Sequence, residues 1–136
     1  CRMVSEPNPE ALAIAQQAFQ RFAAGLASAQ WQPFLDMLTD DFTFWFPAGP
    51  FRGWNVGKDR AAEFFQAVAQ IFDQGLSVTV QRITQNDTTI VFEIQSSGVM
   101  LGQPYQNQAA IAFDVRGNQI CGYREYLGVV FQLGTG

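Results

Sequence analysis

The chain holds no histidine, so any acid–base work falls to its carboxylates and tyrosines. A Ser-His-Asp or Cys-His triad and a His-ligated zinc or iron site are excluded at once. Glu125, in Tyr123-Arg124-Glu125-Tyr126, is the foremost candidate. A lone carboxyl group buried among Phe and Tyr side chains has its charged form disfavoured, which raises its pKa towards the range a general acid or base needs. Tyr123, Tyr105 and Asn107 are the groups that can orient a substrate oxygen. The competing reading pairs Glu125 with an arginine such as Arg52 or Arg124, or leaves it in solvent.

Other groupings carry less. Asp40 and Asp41 are adjacent, and adjacent strand residues face opposite sides, so they are expected to close the second helix and open a strand. Asp36 belongs to that short helix, with a solvated face as its default place. Gly53-Trp54-Asn55-Val56-Gly57-Lys58 lacks the Walker spacing and the Ser or Thr after Lys. The two cysteines, Cys1 and Cys121, cannot form a Cys₄ site. No dinucleotide fingerprint is present, so neither metal nor cofactor is expected.

Eight Lys and Arg against twelve Asp and Glu give a net charge of −4. Without a basic cluster, a nucleic-acid partner is not expected. No apolar run approaches the ~18 residues of a membrane span, and both thiols read as free in a reducing cytoplasm. Asn86-Asp87-Thr88 matches a glycosylation pattern, but it sits where hairpin-turn chemistry explains it. Thirteen phenylalanines, with only 15% charged residues against roughly 25% in ordinary soluble domains, point to a compact chain with a large aromatic interior.

The elements that must position these groups follow from periodicity. Residues 1–8 read as a flexible tail, 9–131 as one domain and 132–136 as a second tail. Asn8-Pro9-Glu10 is a helix start, with Asn as cap and Pro at the first position. Leu12, Ala15, Phe19, Phe22, Ala23 and Leu26 then recur at helical spacing to about Ala29. A shorter helix from Gln32-Pro33 carries Phe34, Leu35 and Leu38. Phe42–Phe46 reads as a strand, Phe51–Gly57 as a loop, and Lys58–Phe72 as a third helix. Arg52 and Trp54 on that loop are candidates to gate an opening. Four strands follow, Ser77–Thr84, Thr89–Val99, Tyr105–Val115 and Gln119–Phe131, joined by short turns that make neighbours antiparallel.

Strand parity assigns faces. Asn107 goes inward with Tyr105, Ala109, Ile111 and Phe113. Ile90, Phe92 and Ile94 face in, which sends Glu93 and Gln95 out. In the last strand Ile120, Arg124 and Tyr126 share one face, while Cys121, Tyr123, Glu125 and Leu127 share the other. The residues alone leave open which face is inner.

Several stretches resemble the nuclear transport factor 2-like superfamily, in its ketosteroid-isomerase-like and SnoaL-like branch. They are Thr39-Asp40-Asp41-Phe42-Thr43 with Pro47-Ala48-Gly49, Gly57-Lys58-Asp59-Arg60-Ala61, Gly102-Gln103-Pro104-Tyr105, and Gly117-Asn118-Gln119-Ile120 followed by Tyr123-Arg124-Glu125-Tyr126. The resemblance spans about residues 9–130. It implies an α+β fold, a cone-shaped curved antiparallel sheet wrapped around three N-terminal helices, with a pocket at the open end. It also implies a homodimer, for which the outer sheet face, with Glu93, Gln95, Arg124 and Tyr126, is the expected surface.

The isomerase machinery itself does not carry over. Its Asp base falls at Phe46, its Tyr at Phe22 and its buried Asp at Ala109 or Ile111, so steroid isomerisation by that route is rejected. Comparison with the isomerase-like last strand favours Cys121, Tyr123, Glu125 and Leu127 inward, near Asn107. The expected pocket wall is Phe22, Phe46, Trp54, Phe64, Phe92, Tyr105, Asn107, Ala109, Cys121 and Leu127. The function expected is binding of an unknown, largely apolar small molecule, with proton transfer through Glu125. The alternatives are a non-catalytic carrier or sensor, and a dimeric interaction module with a filled cone.

Overall fold

The structure, a computed structural model, describes residues 8–128. Helix α1 runs Pro9–Ser28. Asn8 caps it, its side-chain oxygen accepting from the N–H groups of Glu10 at 3.0 Å and Ala11 at 3.2 Å. The helix buries Ala11, Ala15, Ala18, Phe19, Phe22 and Leu26. Gly25 sits where α1 crosses Trp31, and a Cβ there would meet the indole at 2.4 Å. Helix α2 is a single turn, Gln32–Leu35.

Strand β1 (Leu38–Phe46) leads through a 3₁₀ turn, Gly49–Phe51, into β2 (Gly53–Val56) and helix α3 (Lys58–Ile71). Four long strands complete the fold: β3 (Leu76–Gln85), β4 (Thr89–Met100), β5 (Gln103–Arg116) and β6 (Gln119–Gly128). The sheet order is β2-β1-β6-β5-β4-β3. All neighbours are antiparallel except β1 and β6, which run parallel. The sheet curves around the helices without closing, giving the expected α+β cone.

An aromatic cluster fills the narrow part of that cone. The Phe22 ring lies 5.5–6.1 Å from the rings of Trp31, Phe34, Phe65, Phe113 and Tyr123. Edge-to-face and tilted contacts of this kind contribute beyond the area they bury. Among the described residues no helix is long and apolar enough to cross a membrane.

Several boundaries differ from expectation. Gly53–Val56 is an edge strand rather than a loop, with Trp45 and Trp54 as Cα partners. Strand β1 begins at Leu38, four residues early, so Leu38 leaves the second helix and Asp40 and Asp41 lie inside the strand. Between Leu38 and Thr43 the β1–β6 register slips, and both carboxylates bulge into solvent there, Asp41 pairing with Arg116 at 2.5 Å. That pairing holds the Asp41 carboxyl below its ordinary pKa. Of the tail expected over residues 1–8, Asn8 is instead the cap of α1. Residues 1–7, Cys1 included, the C-terminal tail 132–136 and the last residues of the expected final strand, 129–131, lie outside the described residues.

Candidate functional site

Where the cone widens, a cavity of about 640 Å³ opens between α1, α3, the turn after β1 and the inner faces of β3 to β6. Its walls include Phe22, Phe46, Phe64, Tyr105, Asn107, Ala109, Tyr123, Glu125 and Leu127. These nine of the expected residues the fold brings together.

Three others lie elsewhere. Phe92 is buried in the core below the cavity, stacked on Phe19 with ring centroids 4.5 Å apart. Trp54 points outward from the edge strand and is 64% exposed. Cys121 is displaced by a bulge: Asp114 pairs with Gly122 but Val115 pairs with Ile120, leaving Cys121 as the extra residue. One added residue reverses facing on one side of the bulge. Ile120 and Tyr123 therefore both point inward, and the Cys121 thiol donates instead to the Asp114 carbonyl at 3.5 Å. Burial raises that thiol's pKa.

Nor do Arg52 and Trp54 form the gate. The rim is the turn itself, with Gly49, Pro50 and Phe51 in the wall, while exposed Arg52 donates back to the Gly49 carbonyl at 3.0 Å. Phe51 is held by Arg60, whose guanidinium lies 4.1 Å from its ring centre, and by the Asn55 amide, which donates to the Phe51 carbonyl at 2.7 Å. Arg60 in turn donates to Asn55 at 3.1 Å. The opposite rim is apolar: Leu101, 75% exposed, and Ile71, 38% exposed, both reach the cavity.

At the inner end, Tyr123 and Glu125 project together from β6, and the phenol donates to the Glu125 carboxylate. Among the described residues that line the cavity there is no Lys or Arg. Neither arginine considered as a partner reaches Glu125. Arg124 points to the outer face and makes a two-pronged contact with Asp114, at 2.5 and 3.1 Å. Burial pushes Asp114 up, but the bonds from Arg124 and Thr89 more than offset this, and its pKa is lowered.

Burial in the apolar wall raises the Glu125 pKa to about 7, against the smaller lowering effect of the Tyr123 hydrogen bond. As a residue Glu125 keeps partial exposure, and that exposure is to the cavity. Tyr123 is raised well above its ordinary value, first by burial and then by the Glu125 charge, so it remains a neutral donor. The pair can exchange a proton with a bound molecule near neutral pH, with Glu125 as the titrating member.

A second polar group lies further along the wall. Ser96 and Asn107 are Cα partners across β4 and β5; the Ser96 hydroxyl donates to the Asn107 amide oxygen, and the amide nitrogen donates to the Tyr105 hydroxyl at 2.5 Å. Asn107 does not touch Glu125. Ser96 was missed as a site residue, although it continues the inward series Ile90, Phe92, Ile94. Among the described residues no group of His, Cys, Asp or Glu is placed to hold a metal.

Comparison with known proteins gives a consistent picture. No match is found among curated proteins. An NTF2-like protein from Anabaena variabilis ATCC 29413 is 51% identical over 95% of this chain and 97% of its own, with a TM-score of 0.88. An LEH-like epoxide hydrolase from M. tuberculosis is 18% identical, covering 89% of this chain and 84% of its own, TM-score 0.68. A protein with a ketosteroid isomerase-like fold from Catenulispora acidiphila, solved in complex with trimethylamine, is 15% identical, covering 81% and 84%, TM-score 0.69. The last two share the fold alone. The SnoaL-like domain matches residues 19–123, and the chain belongs to the SnoaL-like family.

Proposed function

We propose that this protein binds a largely apolar small molecule in the cone and moves a proton at Glu125. The observation that carries the reading is the Glu125 carboxyl group, its pKa raised to about 7, in an apolar cavity whose lining, among the described residues, holds no other carboxyl group and no cation to neutralise it. A general base works best when its pKa lies near the operating pH. In its charged form Glu125 accepts the ligand's proton while the Tyr123 hydroxyl stabilises the carboxylate; protonated, it returns the proton to a second atom of the ligand. The apolar rim at Ile71 and Leu101 favours a ligand with little charge, since burying a charge without a partner is costly.

The second reading is a carrier, in which Glu125 only orients the ligand. Glu125→Gln separates them: the variant keeps the hydrogen-bonding shape but cannot titrate. An enzyme loses turnover while ligand affinity holds within a few-fold. Turnover that survives in the variant overturns proton transfer at Glu125, and a wild type that binds its ligand without turning it over leaves the carrier reading. A filled cone is disfavoured by the cavity volume.

A homodimer through the outer sheet face belongs to the same proposal, supported by Trp45 stacked on Tyr126 at 5.3 Å beside exposed Trp54 and Val56. A reducing, cytoplasmic setting is also part of it, in keeping with the free thiol of Cys121.

A further inference from the structure

The hydrogen-bonded string Ser96–Asn107–Tyr105 is unused by the chemistry at Glu125. It is a row of three polar side chains in an apolar wall, and buried polar groups persist where they are satisfied. Counting donors shows what remains. The Ser96 proton goes to the Asn107 oxygen, and an Asn107 N–H goes to the Tyr105 oxygen. The Tyr105 O–H proton is left without an acceptor among the described residues. Turning the amide over would pass the spare hydroxyl proton to Ser96, so the string keeps one unspent hydroxyl donor in either orientation. Tyr105 lines the cavity, with its ring 5.1 Å from that of Phe72, another residue of the cavity wall. Burial raises its pKa first of all, so the group stays a neutral donor.

Register separates the two groups along the strand, while the Glu125 charge still acts on the Tyr105 phenol and adds to the rise in its pKa. Glu125 is the Cα partner of Ile111 on β5, and Leu127 that of Ala109. Asn107 is four residues from Ile111, or about 13 Å of strand. The floor between is Ala109 and Leu127, small and apolar. The cavity thus has an acid–base end, an apolar middle and a neutral donor end.

We infer that the Tyr105 end of this string anchors the ligand, and that the ligand carries a neutral hydrogen-bond acceptor, a carbonyl or ether-type oxygen, remote from the atom that exchanges its proton with Glu125. The inference rests on the cavity being the binding site, as proposed above, and not on proton transfer at Glu125.

The test uses a pair of probes of nearly the same shape, 2-acetylnaphthalene and 2-isopropenylnaphthalene, which differ by a carbonyl oxygen against a methylene. Titrated into the full chain, the ketone should bind about tenfold more tightly, the size of one satisfied neutral hydrogen bond. Its carbonyl stretch should move to lower frequency on binding. Tyr105→Phe should abolish the preference and the frequency shift, while Glu125→Gln should keep both. Equal affinity for the two probes in the wild type overturns the inference and leaves the cavity reading intact. A frequency shift lost in Glu125→Gln but kept in Tyr105→Phe also overturns it, because the acceptor then sits at the acid. Binding of neither probe removes the cavity reading and the inference together. Equal affinities or an unshifted stretch in the wild type overturn the inference even if a variant folds poorly.

Discussion

Tyr123 and Glu125 stand two residues apart on the same face of β6, and the phenol donates its proton to the carboxylate. Their proximity follows from the period of two in a strand, and it sets a sign. The hydrogen bond favours the charged carboxylate, so it lowers a pKa that burial raises. Tyr123→Phe keeps the ring in the aromatic cluster but removes the donor. The Glu125 pKa should rise further above about 7, read by following the carboxyl carbon in a pH titration by NMR. A fall would show that the phenol does not support the charged form.

Stability should carry the same signature. The Glu125 pKa is raised from 4.5 to about 7 in the folded chain, so between those values the folded state holds a proton that the unfolded state has lost. Unfolding free energy therefore falls as pH rises through this window and is flat above it. Glu125→Gln removes the dependence. Above pH 7 the variant should be the more stable, by on the order of 2 kcal/mol after allowance for water in the cavity. Denaturant melts of both proteins at pH 4.5 and pH 8 make the measurement, and parallel pH profiles would count against burial of the carboxyl group.

Gly25 offers a test of packing whose sign opposes helix propensity. Gly to Ala inside a helix normally stabilises by up to about 1 kcal/mol. Here the added methyl would meet the Trp31 ring at 2.4 Å, and that ring is stacked on Phe65 at 4.5 Å, so it has little room to withdraw. Overpacking of this kind costs about 1–3 kcal/mol. Gly25→Ala should therefore lower the unfolding midpoint, and a rise would mean that the α1–Trp31 contact is looser than described.

The helices and long strands were legible because their signals are local and repeated: the Asn8-Pro9 start, the helical spacing of Phe19, Phe22 and Leu26, and four strand segments closed by short turns. The cone they build was implied by the family resemblance. Asn107 and Glu125 could be assigned a face by parity, the latter with help from the family resemblance. What parity cannot foresee is a residue that breaks it. Cys121 was expected inward because it shares parity with Tyr123, and one bulged residue moved it out and Ile120 in. Edge strand β2 was hidden for another reason: Gly53–Val56 is only four residues long and too short to show alternation. Trp54 consequently read as a loop residue over the pocket. The parallel β1–β6 pair joins segments far apart in sequence, where no turn announces the partner.

On the outer face, Trp45 lies half-buried between two exposed aromatic residues, Tyr126 at 48% and Trp54 at 64%. Of the charges on this face, Arg124 is paired with Asp114 at 2.5 Å and Glu93 with Arg82 at 2.7 Å. A second copy can therefore cover the apolar strip without burying an unpaired ion, the costly element of most interfaces. The proposed dimer should then depend on Tyr126 more than on any rim charge, since aromatic anchors carry most interface energy. Tyr126→Lys is expected to convert a dimer to a monomer in light scattering at micromolar concentration. Its side chain points away from the cavity, so the variant should leave the Glu125 titration unchanged. A wild-type mass of a single chain would sink the dimer, and a dimeric Tyr126→Lys would place the interface on another surface.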